Sequence, residues 1–453
     1  MRDAVPALIE KVLPRPRDKH HEARRHAKAH KALAIVACLA LVMQTSLLLI
    51  SLFAPPLPYT IANAGAEPID SPEFSRILAQ LTGGGWSENN RVDVLTNGNT
   101  FYQAELDAIA QAKRFVHIEC YIFEKGQVSD RILNALEQRA AAGVEVRLVI
   151  DAVGSTGFPK KRLERLQQLG GRVGWYHPLR WYSWPRANNR THRELTVVDG
   201  VVAFAGGAGF ADQWLFDHRD DPQWRDTMVR IEGPAAADLN ATFAENWLES
   251  SNGEVLLAPE YFPSLPGPGG TRALVVTSSP MAGQSTEARV FLQALVAKAS
   301  RVIHITNPYF LPDKNLRQEL VNAVRRGAEV TILVPGARND HLLTRRSSRA
   351  LYGDLLKAHA RIFEYQPSMI HAKIALFDGK WGVAGSTNLD SRSFGLNDEV
   401  NVAIPDPAVV ARLEEDFQRD LARSREIGYE EWSHRPWWEK LEEWCGWIIQ
   451  KQE

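Results

Sequence analysis

The chain has 453 residues, of which 45% are hydrophobic and 24% charged, a composition typical of globular proteins that excludes a disordered or collagen-like chain. Its 53 Lys and Arg nearly balance its 54 Asp and Glu, so the overall charge does not favour a protein that coats nucleic acid. The three cysteines, Cys38, Cys120 and Cys445, are too widely spaced for a metal knuckle or a disulfide framework, and we expect neither metal nor disulfide.

The N-terminus combines a basic tail with an apolar run. Residues 1–31 hold nine Lys or Arg and four Asp or Glu, and residues 32–54 contain no charge. As a helix, this run would measure about 34 Å, enough to cross a hydrocarbon core of roughly 30 Å. A core helix or a cleaved signal peptide are the alternatives. We predict a single-pass membrane helix with a cytoplasmic N-terminus and an extracytoplasmic remainder, as in a bacterial inner membrane.

After a predicted linker over residues 55–85, apolar β-rich runs alternate with helical stretches, as in an α/β domain. The alternation occurs twice. Residues 116–123 are echoed by 303–310, and 142–150 by 326–334. We therefore predict a first lobe over 86–251, a Pro-rich linker over 252–270 and a second lobe over 271–425, each a mixed sheet flanked by helices.

A third pair of similar segments carries histidines. Residues 192–200 match 371–379, and each segment begins with His, at His192 and His371. On an extended strand, alternate side chains share a face, so His371 and Lys373 point the same way. A strand histidine alone is more often structural than catalytic, but its recurrence at the equivalent place in both lobes favours catalysis.

Acidic residues recur in the same way. Asp226 begins a segment that matches one beginning at Glu399. Two related lobes can bring two imidazoles together, one as nucleophile and one as general acid. A carboxylate beside each ring would fix its tautomer and stabilise the imidazolium, and Asp226 and Glu399 are candidates for this role.

The second-lobe motif resembles the second active-site motif of the phospholipase D superfamily. It reads His371-x-Lys373-x4-Asp378, then Gly385-Ser386-x-Asn388-x3-Arg392-Ser393. The similarity covers about residues 86–425 and is closer to bacterial cardiolipin synthases, which also tend to carry a strand end like that at residues 307–310.

The resemblance implies two pseudo-symmetric α/β lobes that share one active site at their interface and work without metal or cofactor. It implies that His192 attacks a lipid phosphodiester to form a phosphohistidine and that His371 protonates the departing alcohol, although the roles could be exchanged. Water as acceptor would give phosphatidic acid, and phosphatidylglycerol would give cardiolipin. Residues assigned to the substrate are Arg193, Glu194, Ser386 and Asn388, and Asp199 and Asp378 are structural members of the motifs.

The first lobe departs from the family pattern. Glu194 stands where the family has lysine, and Gly209 stands where the second lobe has Asn388. Replacing a cation by an anion about 4 Å from a phosphate costs a few kcal/mol at an effective dielectric constant near 20. Arg190, Arg193 or Arg225 could compensate, or Glu194 could be protonated.

Three functions therefore stay open. The first is an active lipid phosphatidyltransferase or phospholipase D. The second is a phosphodiesterase of another substrate, such as a nuclease, and the third is a catalytically silent lipid-binding protein. The predicted membrane helix favours a phospholipid bilayer as partner and argues against nucleic acid. Residues 426–453 contain five tryptophans, which suit either an amphipathic helix at the bilayer surface or packing against the domain.

Overall fold

The computed structural model describes residues 19–53, 60–62, 65, 67–179, 188–217, 222–264, 266–280 and 286–436. The chain divides into an N-terminal unit and a second unit that contains the rest. Helix α1 (Lys19–Phe53) makes up the described part of the first unit and reaches the boundary at residue 51. Among the described residues, it is the one helix long and apolar enough to cross a membrane, over Lys28–Leu47, and none of that window is buried. A spanning helix over 32–54 stays a prediction.

The second unit alternates strands and helices. Its helices are α2 (Pro72–Leu81), α3 (Gly98–Gln111), α4 (Gln127–Ala141), α5 (Glu164–Gln168), α6 (Pro234–Ser250), α7 (Glu287–Lys298), α8 (Lys314–Arg325), α9 (Leu342–Ala350), α10 (Tyr352–Lys357), α11 (Ser391–Gly395), α12 (Pro407–Leu421) and α13 (Tyr429–Ser433). Its strands are β1 (Trp86–Thr96), β2 (Phe115–Cys120), β3 (Glu145–Asp151), β4 (Arg172–Tyr176), β5 (Arg190–Thr191), β6 (Glu194–Val198), β7 (Val202–Gly206), β8 (Thr227–Glu232), β9 (Thr271–Ser278), β10 (Val302–Thr306), β11 (Glu329–Pro335), β12 (Arg361–Tyr365), β13 (Ile374–Phe377), β14 (Trp381–Gly385), β15 (Asn397–Ile404) and β16 (Ser424–Glu426).

The strands form one mixed sheet with a repeated order. Lobe 1 runs β1-β8-β7-β6-β2-β3-β4, and lobe 2 runs β9-β15-β14-β13-β10-β11-β12-β16. In each lobe the three strands β2-β3-β4 or β10-β11-β12 are parallel and the next ones are antiparallel. The two halves join where β1 pairs with β9 in antiparallel. The expected two α/β lobes with mixed sheets are confirmed, and β16 is an addition to the shared plan.

The core has a layer that belongs to both lobes. One apolar cluster combines β-sheet side chains of both lobes with α6, which contributes Phe243 and Trp247, and α12, which contributes Leu413 and Phe417. Two further clusters cover the other faces, one under α3 and α4 of lobe 1 and one under α2, α7, α8 and α10 of lobe 2. Because α6 and α12 share a layer, the lobes are held together by buried apolar surface as well as by the sheet.

The segment predicted as a plain linker over 55–85 contains a packed helix. Ser71 caps α2 by accepting a hydrogen bond from the Phe74 amide (3.1 Å), and Pro72 begins the helix. The side chains of Phe74 and Leu78 are buried in the core of lobe 2. The segment between the predicted membrane helix and the first lobe thus includes a short amphipathic helix, which its proline-rich start concealed.

The structure also describes part of the inter-lobe linker and part of the C-terminal segment. Residues 252–270 join α6 to β9 with a single 3-10 turn, Pro259–Tyr261, among the residues described there. In the C-terminal segment, the Trp432 indole donates to the Arg349 carbonyl (2.6 Å), and a Cβ on Gly353 would lie 2.4 Å from its ring. Trp432 thus packs against lobe 2. The remaining tryptophans of 426–453 lie outside the described residues.

Candidate active site

Each histidine segment forms backbone hydrogen bonds to the opposite lobe. Strand β5 of lobe 1 pairs in parallel with β15 of lobe 2, and the amide of His192 donates to the Asp398 carbonyl at 2.9 Å. In the related position, the amide of His371 donates to the Arg225 carbonyl at 2.7 Å. Each histidine is thereby fixed to the opposite lobe one residue before that lobe's candidate carboxylate.

The side chains continue this crossed arrangement. Nδ1 of His192 lies 3.1 Å from Oε1 of Glu399, and Nδ1 of His371 lies 3.0 Å from Oδ2 of Asp226. Both carboxylates are fully buried. A carboxylate at Nδ1 fixes the proton there and leaves Nε2 of each ring as the nitrogen that can react with phosphorus or move a proton.

Further hydrogen bonds hold the two carboxylates. The Ser386 hydroxyl donates to Glu399 and accepts from the Val400 amide at 3.0 Å. Asp226 accepts from the Trp214 indole at 2.9 Å and from the Thr227 amide at 2.8 Å. Burial opposes its ionisation, but the hydrogen bond from His371 and the charges of His371 and Lys373 hold the pKa of Asp226 below its usual range.

Lys373 lies beside the His371 ring. Its Nζ is 2.8 Å from Nδ1 and 3.2 Å from Nε2 of that ring, and 3.4 Å from the Gly207 carbonyl. Burial lowers the pKa of the ammonium, although nearby carboxylates partly offset this effect. Burial, followed by the charge of Lys373, lowers the pKa of His371 and makes its imidazolium a stronger acid.

Glu194 occupies the place in lobe 1 that Lys373 occupies in lobe 2. Its Oε1 accepts from the amides of Tyr121 (3.2 Å) and Ile122 (3.3 Å). Its Oε2 is buried and has no hydrogen-bond partner in the described part of the chain. Burial raises the pKa of Glu194 well above its usual range. Burial therefore favours the neutral form of the carboxyl that stands in place of the lysine, and a neutral carboxyl does not repel an anion.

The glycine at 209 is explained by the same neighbours. A Cβ built there would lie 2.6 Å from the Ile122 carbonyl oxygen and 3.0 Å from Oε1 of Glu194. The side chain found at Asn388 in lobe 2 therefore has no space in lobe 1. In lobe 2, Oδ1 of Asn388 is buried and lacks a partner among the residues described, so this amide is available to a ligand.

Two of the residues assigned to substrate point elsewhere. Arg193 lies between the end of β5 and the start of β6, and its guanidinium donates to the Thr242 carbonyl (3.0 Å) and to Glu245 (2.8 Å). The Ser386 hydroxyl is engaged by Glu399. The structure thus makes Arg193 a packing residue and Ser386 a support of the carboxylate.

The other arginines considered as compensation are also engaged by protein groups. The Arg190 side chain donates to the carbonyls of Asn189 (2.6 Å) and His177 (2.8 Å). That of Arg225 donates to Asp420 at 2.8 Å. The three arginines are therefore not free to replace the missing lysine. Of the alternatives that the sequence suggests, a protonated Glu194 fits these contacts best.

The motif aspartates have matching structural roles. The Asp199 carboxylate accepts from the amides of residues 113–115 at 2.8–2.9 Å. The Asp378 carboxylate accepts from the amides of residues 300–302 at 2.8–3.2 Å. Each aspartate begins a turn with positive φ, 53° and 55°. It fixes the start of β2 or β10, which pair with β6 and β13, the strands that follow the two histidines.

Aromatic residues near the histidines were not predicted. The Tyr121 ring lies edge-on to His192, with ring centroids 5.3 Å apart, and the Tyr309 ring lies edge-on to His371 at 6.0 Å. Trp214 and Trp224 also contact His371, at 5.4 and 5.6 Å. The tyrosines follow the ends of β2 and β10, so the similarity of residues 116–123 to 303–310 could have predicted them. No sequence pattern indicates the tryptophans.

The chain matches the sequence profile of the family described as "Cardiolipin synthase, PLD-like domain" over residues 106–247 and 292–421. It is 34% identical to the major cardiolipin synthase of Bacillus subtilis, an alignment that covers 79% of this chain and 74% of that protein. It is 33% identical to a cardiolipin synthase of Oceanobacillus iheyensis, covering 76% of this chain and 71% of the relative.

Among solved structures, a phosphatidylserine synthase of Haemophilus influenzae superposes with a TM-score of 0.65 at 14% identity, covering 84% of this chain and all of that chain. A polyphosphate kinase of Porphyromonas gingivalis superposes with a TM-score of 0.51 at 14% identity, covering 83% of this chain and 54% of that one. At these identities the structural likeness concerns the fold.

Proposed function

The chain belongs to the cardiolipin synthase family of phospholipase D-like enzymes, and from this membership we propose that it transfers the phosphatidyl group of one phosphatidylglycerol to the glycerol of a second. The transfer passes through a phosphohistidine on His192. The observation that carries the proposal is the crossed pairing of His192 with Glu399 and of His371 with Asp226.

In the first step, Nε2 of His192 attacks the phosphorus of the bound lipid. The bond between phosphorus and the glycerol oxygen breaks, and His371 gives its proton to that oxygen, so that glycerol leaves as a neutral alcohol. Glu399 stabilises the positive charge that develops on the His192 ring.

In the second step, a hydroxyl of the acceptor gives its proton to the neutral His371. Its oxygen attacks phosphorus, and the bond to Nε2 of His192 breaks. Phosphatidylglycerol as acceptor gives cardiolipin, and water gives phosphatidic acid. His371 returns to its protonated form, so the two steps restore the enzyme.

The two lobes offer different groups to the negative charge of the phosphate. Lys373 supplies a buried cation, whereas Glu194 is kept neutral by burial, with its Oε2 available as a donor. The buried amide of Asn388 adds a further polar contact. This set supports an active enzyme over a silent lipid-binding protein, because a neutral acid removes the repulsion that an ionised Glu194 would impose.

The proposed substrate places the enzyme at a bilayer. The described, exposed apolar side chains of α1, such as Leu33 and Leu39, support its role as a membrane anchor. The basic tail then places the N-terminus in the cytoplasm. We propose the phospholipid bilayer as the partner and no nucleic acid.

The test uses purified full-length protein in vesicles of phosphatidylglycerol and phosphatidylethanolamine, with lipid products resolved by mass. We expect cardiolipin from the wild type and none from His192→Ala or His371→Ala. His304→Gln is the matched control, because His304 pairs with Glu414 (2.9 Å) away from the site.

Rapid quenching and peptide mass spectrometry should find the phosphatidyl adduct on His192. An adduct on His371 would exchange the two roles. Absence of all products from the wild type would instead favour the silent lipid-binding alternative.

A further inference from the structure

A buried polar cluster lies behind the pair formed by His192 and Glu399. Its members are Glu119 on β2, Tyr176 at the end of β4, Thr191 on β5, Asn246 on α6 and Asp398 on β15. Each of these residues is at most 2% exposed. Polar groups buried to this extent cost free energy unless they are hydrogen-bonded, so their partners indicate what the cluster holds in place.

One acid of the cluster holds the residue before His192. The Thr191 hydroxyl donates to Oε1 of Glu119, and the Asn246 amide donates to the same oxygen at 2.6 Å. Burial raises the pKa of Glu119 to about 7, although the charge of Arg193 and these two hydrogen bonds oppose the rise. Both sequence neighbours of His192 therefore interact with Glu119.

The other acid of the cluster lies one residue before Glu399. The Asp398 carboxyl accepts from the Tyr176 hydroxyl at 2.6 Å, and the Asn246 amide also hydrogen-bonds to it. The backbone carbonyl of Asp398 accepts from the amide of His192 at 2.9 Å. Donors of lobe 1 thus hold the segment of lobe 2 that carries Glu399.

Asn246 joins these two acids. A side-chain amide nitrogen carries two hydrogens, so it can donate to Glu119 and to Asp398 at once. The first acid holds the residue before the histidine, and the second acid is itself the residue before the histidine's carboxylate. One side chain of α6 is therefore linked to the neighbours of both members of the pair, which come from opposite lobes.

The second histidine pair has different neighbours. At the place that Glu119 occupies in lobe 1, lobe 2 has Thr306, and the residue before His371 is the buried, apolar Ile370. These two residues cannot form the contact between carboxyl and hydroxyl, because neither brings a carboxyl and isoleucine has no polar group in its side chain. The contact thus belongs to the histidine that we propose as the nucleophile.

We propose that Asn246 is a positioning residue for the reaction, which acts through Glu119 and Asp398 to keep the His192 ring and its carboxylate in the geometry that attack on phosphorus requires. Such attack is sensitive to displacement of the reacting group, and a shift of about 1 Å can cost about 10²-fold in rate. The inference rests on the proposed function, since it concerns the proposed nucleophile.

The first test measures how fast His192 acquires the phosphatidyl adduct, by rapid quenching of full-length protein mixed with phosphatidylglycerol vesicles. Asn246→Leu keeps the volume and removes both donors, so the maximal rate per folded molecule should fall about 10- to 100-fold with little change in KM. The control is Asn240→Leu, because Asn240 is a buried asparagine of the same helix that pairs with His117 and with the Tyr261 carbonyl, both at 2.8 Å. Equal losses in the two variants would show a general packing effect and overturn the positioning role.

A second set of variants decides the matter if Asn246→Leu does not fold. Thr191→Val removes the hydroxyl that is bonded to Glu119 and should slow adduct formation about tenfold, whereas Thr191→Ser retains a hydroxyl and should stay within about threefold of the wild type. Thr196→Val is the control, since Thr196 forms a similar buried hydrogen bond to Glu105 (2.9 Å) farther along the chain on β6. A wild-type rate in Thr191→Val would contradict the proposal.

Chemical modification separates failure of this role from failure of the proposed function. Diethyl pyrocarbonate acylates imidazole nitrogens, and its rate at His192 is read from the modified peptide with no lipid present. In Asn246→Leu this rate should change about threefold or more, in the same direction as in Glu399→Gln, and in Asn240→Leu it should not change. If the wild type forms no adduct but these rates differ as stated, the proposed function fails and the positioning role stands. If the modification rate is the same in all these proteins, the positioning role is wrong.

Discussion

Nδ1 of His192 lies 3.1 Å from Oε1 of Glu399, so the imidazole of lobe 1 is oriented by a carboxylate of lobe 2. The relationship is reciprocal, because Asp226 of lobe 1 orients His371. Neither lobe contains a complete histidine–carboxylate pair. The site therefore exists only where the shared layer of α6 and α12 and the β1–β9 pairing hold the two lobes together.

Glu399→Gln should lower kcat for cardiolipin formation by about 10²–10⁴-fold with little change in KM. An amide at Nδ1 disturbs the tautomer and cannot stabilise the imidazolium. The rates are measured at saturating phosphatidylglycerol. The control is Glu414→Gln, which alters the equivalent partner of His304 and should leave kcat unchanged. The double variant His192→Ala/Glu399→Gln should be no slower than His192→Ala, and additive losses would contradict the pairing.

Glu194→Gln should keep activity within about threefold, because it stays neutral and still accepts from the Tyr121 and Ile122 amides. Glu194→Lys should be less stable and less active, since it leaves those two buried donors unpaired, at about 1–3 kcal/mol each. Thermal unfolding and product formation measure the two effects. Higher activity in Glu194→Lys than in the wild type would mean that Glu194 impairs catalysis in the first lobe.

Restoring second-lobe residues in lobe 1 should damage the enzyme. Gly209→Asn would place Cβ 2.6 Å from the Ile122 carbonyl oxygen, and Gly207→Ser would place it 2.9 Å from Lys373 Nζ and Asp226 Oδ1. We expect a lower melting temperature for Gly209→Asn and lower kcat for both. Gly157→Ala, where a Cβ meets nothing within 4 Å, is the control. Wild-type behaviour in Gly209→Asn would show that the strand ends can separate.

Stability should fall as pH rises through a window set by Glu105. This carboxyl is buried beside the Thr196 hydroxyl (2.9 Å), and burial raises its pKa from 4.5 to about 8. Between pH 4.5 and pH 8 the unfolded chain binds fewer protons than the folded chain. The contribution of Glu105 to the free energy of unfolding is therefore complete below pH 4.5 and is lost as the pH approaches 8.

The variant Glu105→Gln isolates this contribution. Its unfolding free energy should depend less steeply on pH than that of the wild type, by up to about 1.4 kcal/mol per pH unit. Denaturant unfolding at pH 5, 6.5 and 8 measures the slopes. Glu119 and Asp390, whose pKa values burial raises to about 7, act in the same direction in both proteins. Equal slopes would show that Glu105 is ionised when folded.

The repeat predicted the lobes, both histidines and both carboxylates, because duplicated segments reveal equivalent positions. It did not predict that His192 pairs with Glu399 and His371 with Asp226, since equivalence along the chain says nothing about adjacency across an interface. The direction of Arg193 could not be predicted from strand alternation, because this residue lies between β5 and β6. The hydrogen bond from Ser386 to Glu399 could not be predicted either, because it depends on the distance between β14 and β15.

The crossed pairing also allows different groups in the two halves of one site. In a two-fold dimer of identical single-lobe chains, every substitution would appear twice around the axis, so a glutamate in place of lysine would remove both cations at once. Here two different lobes are joined in one chain through residues 252–270. Glu194 and Gly209 can therefore stand on one side while Lys373 and Asn388 stand on the other, and the two halves of the site have separate duties.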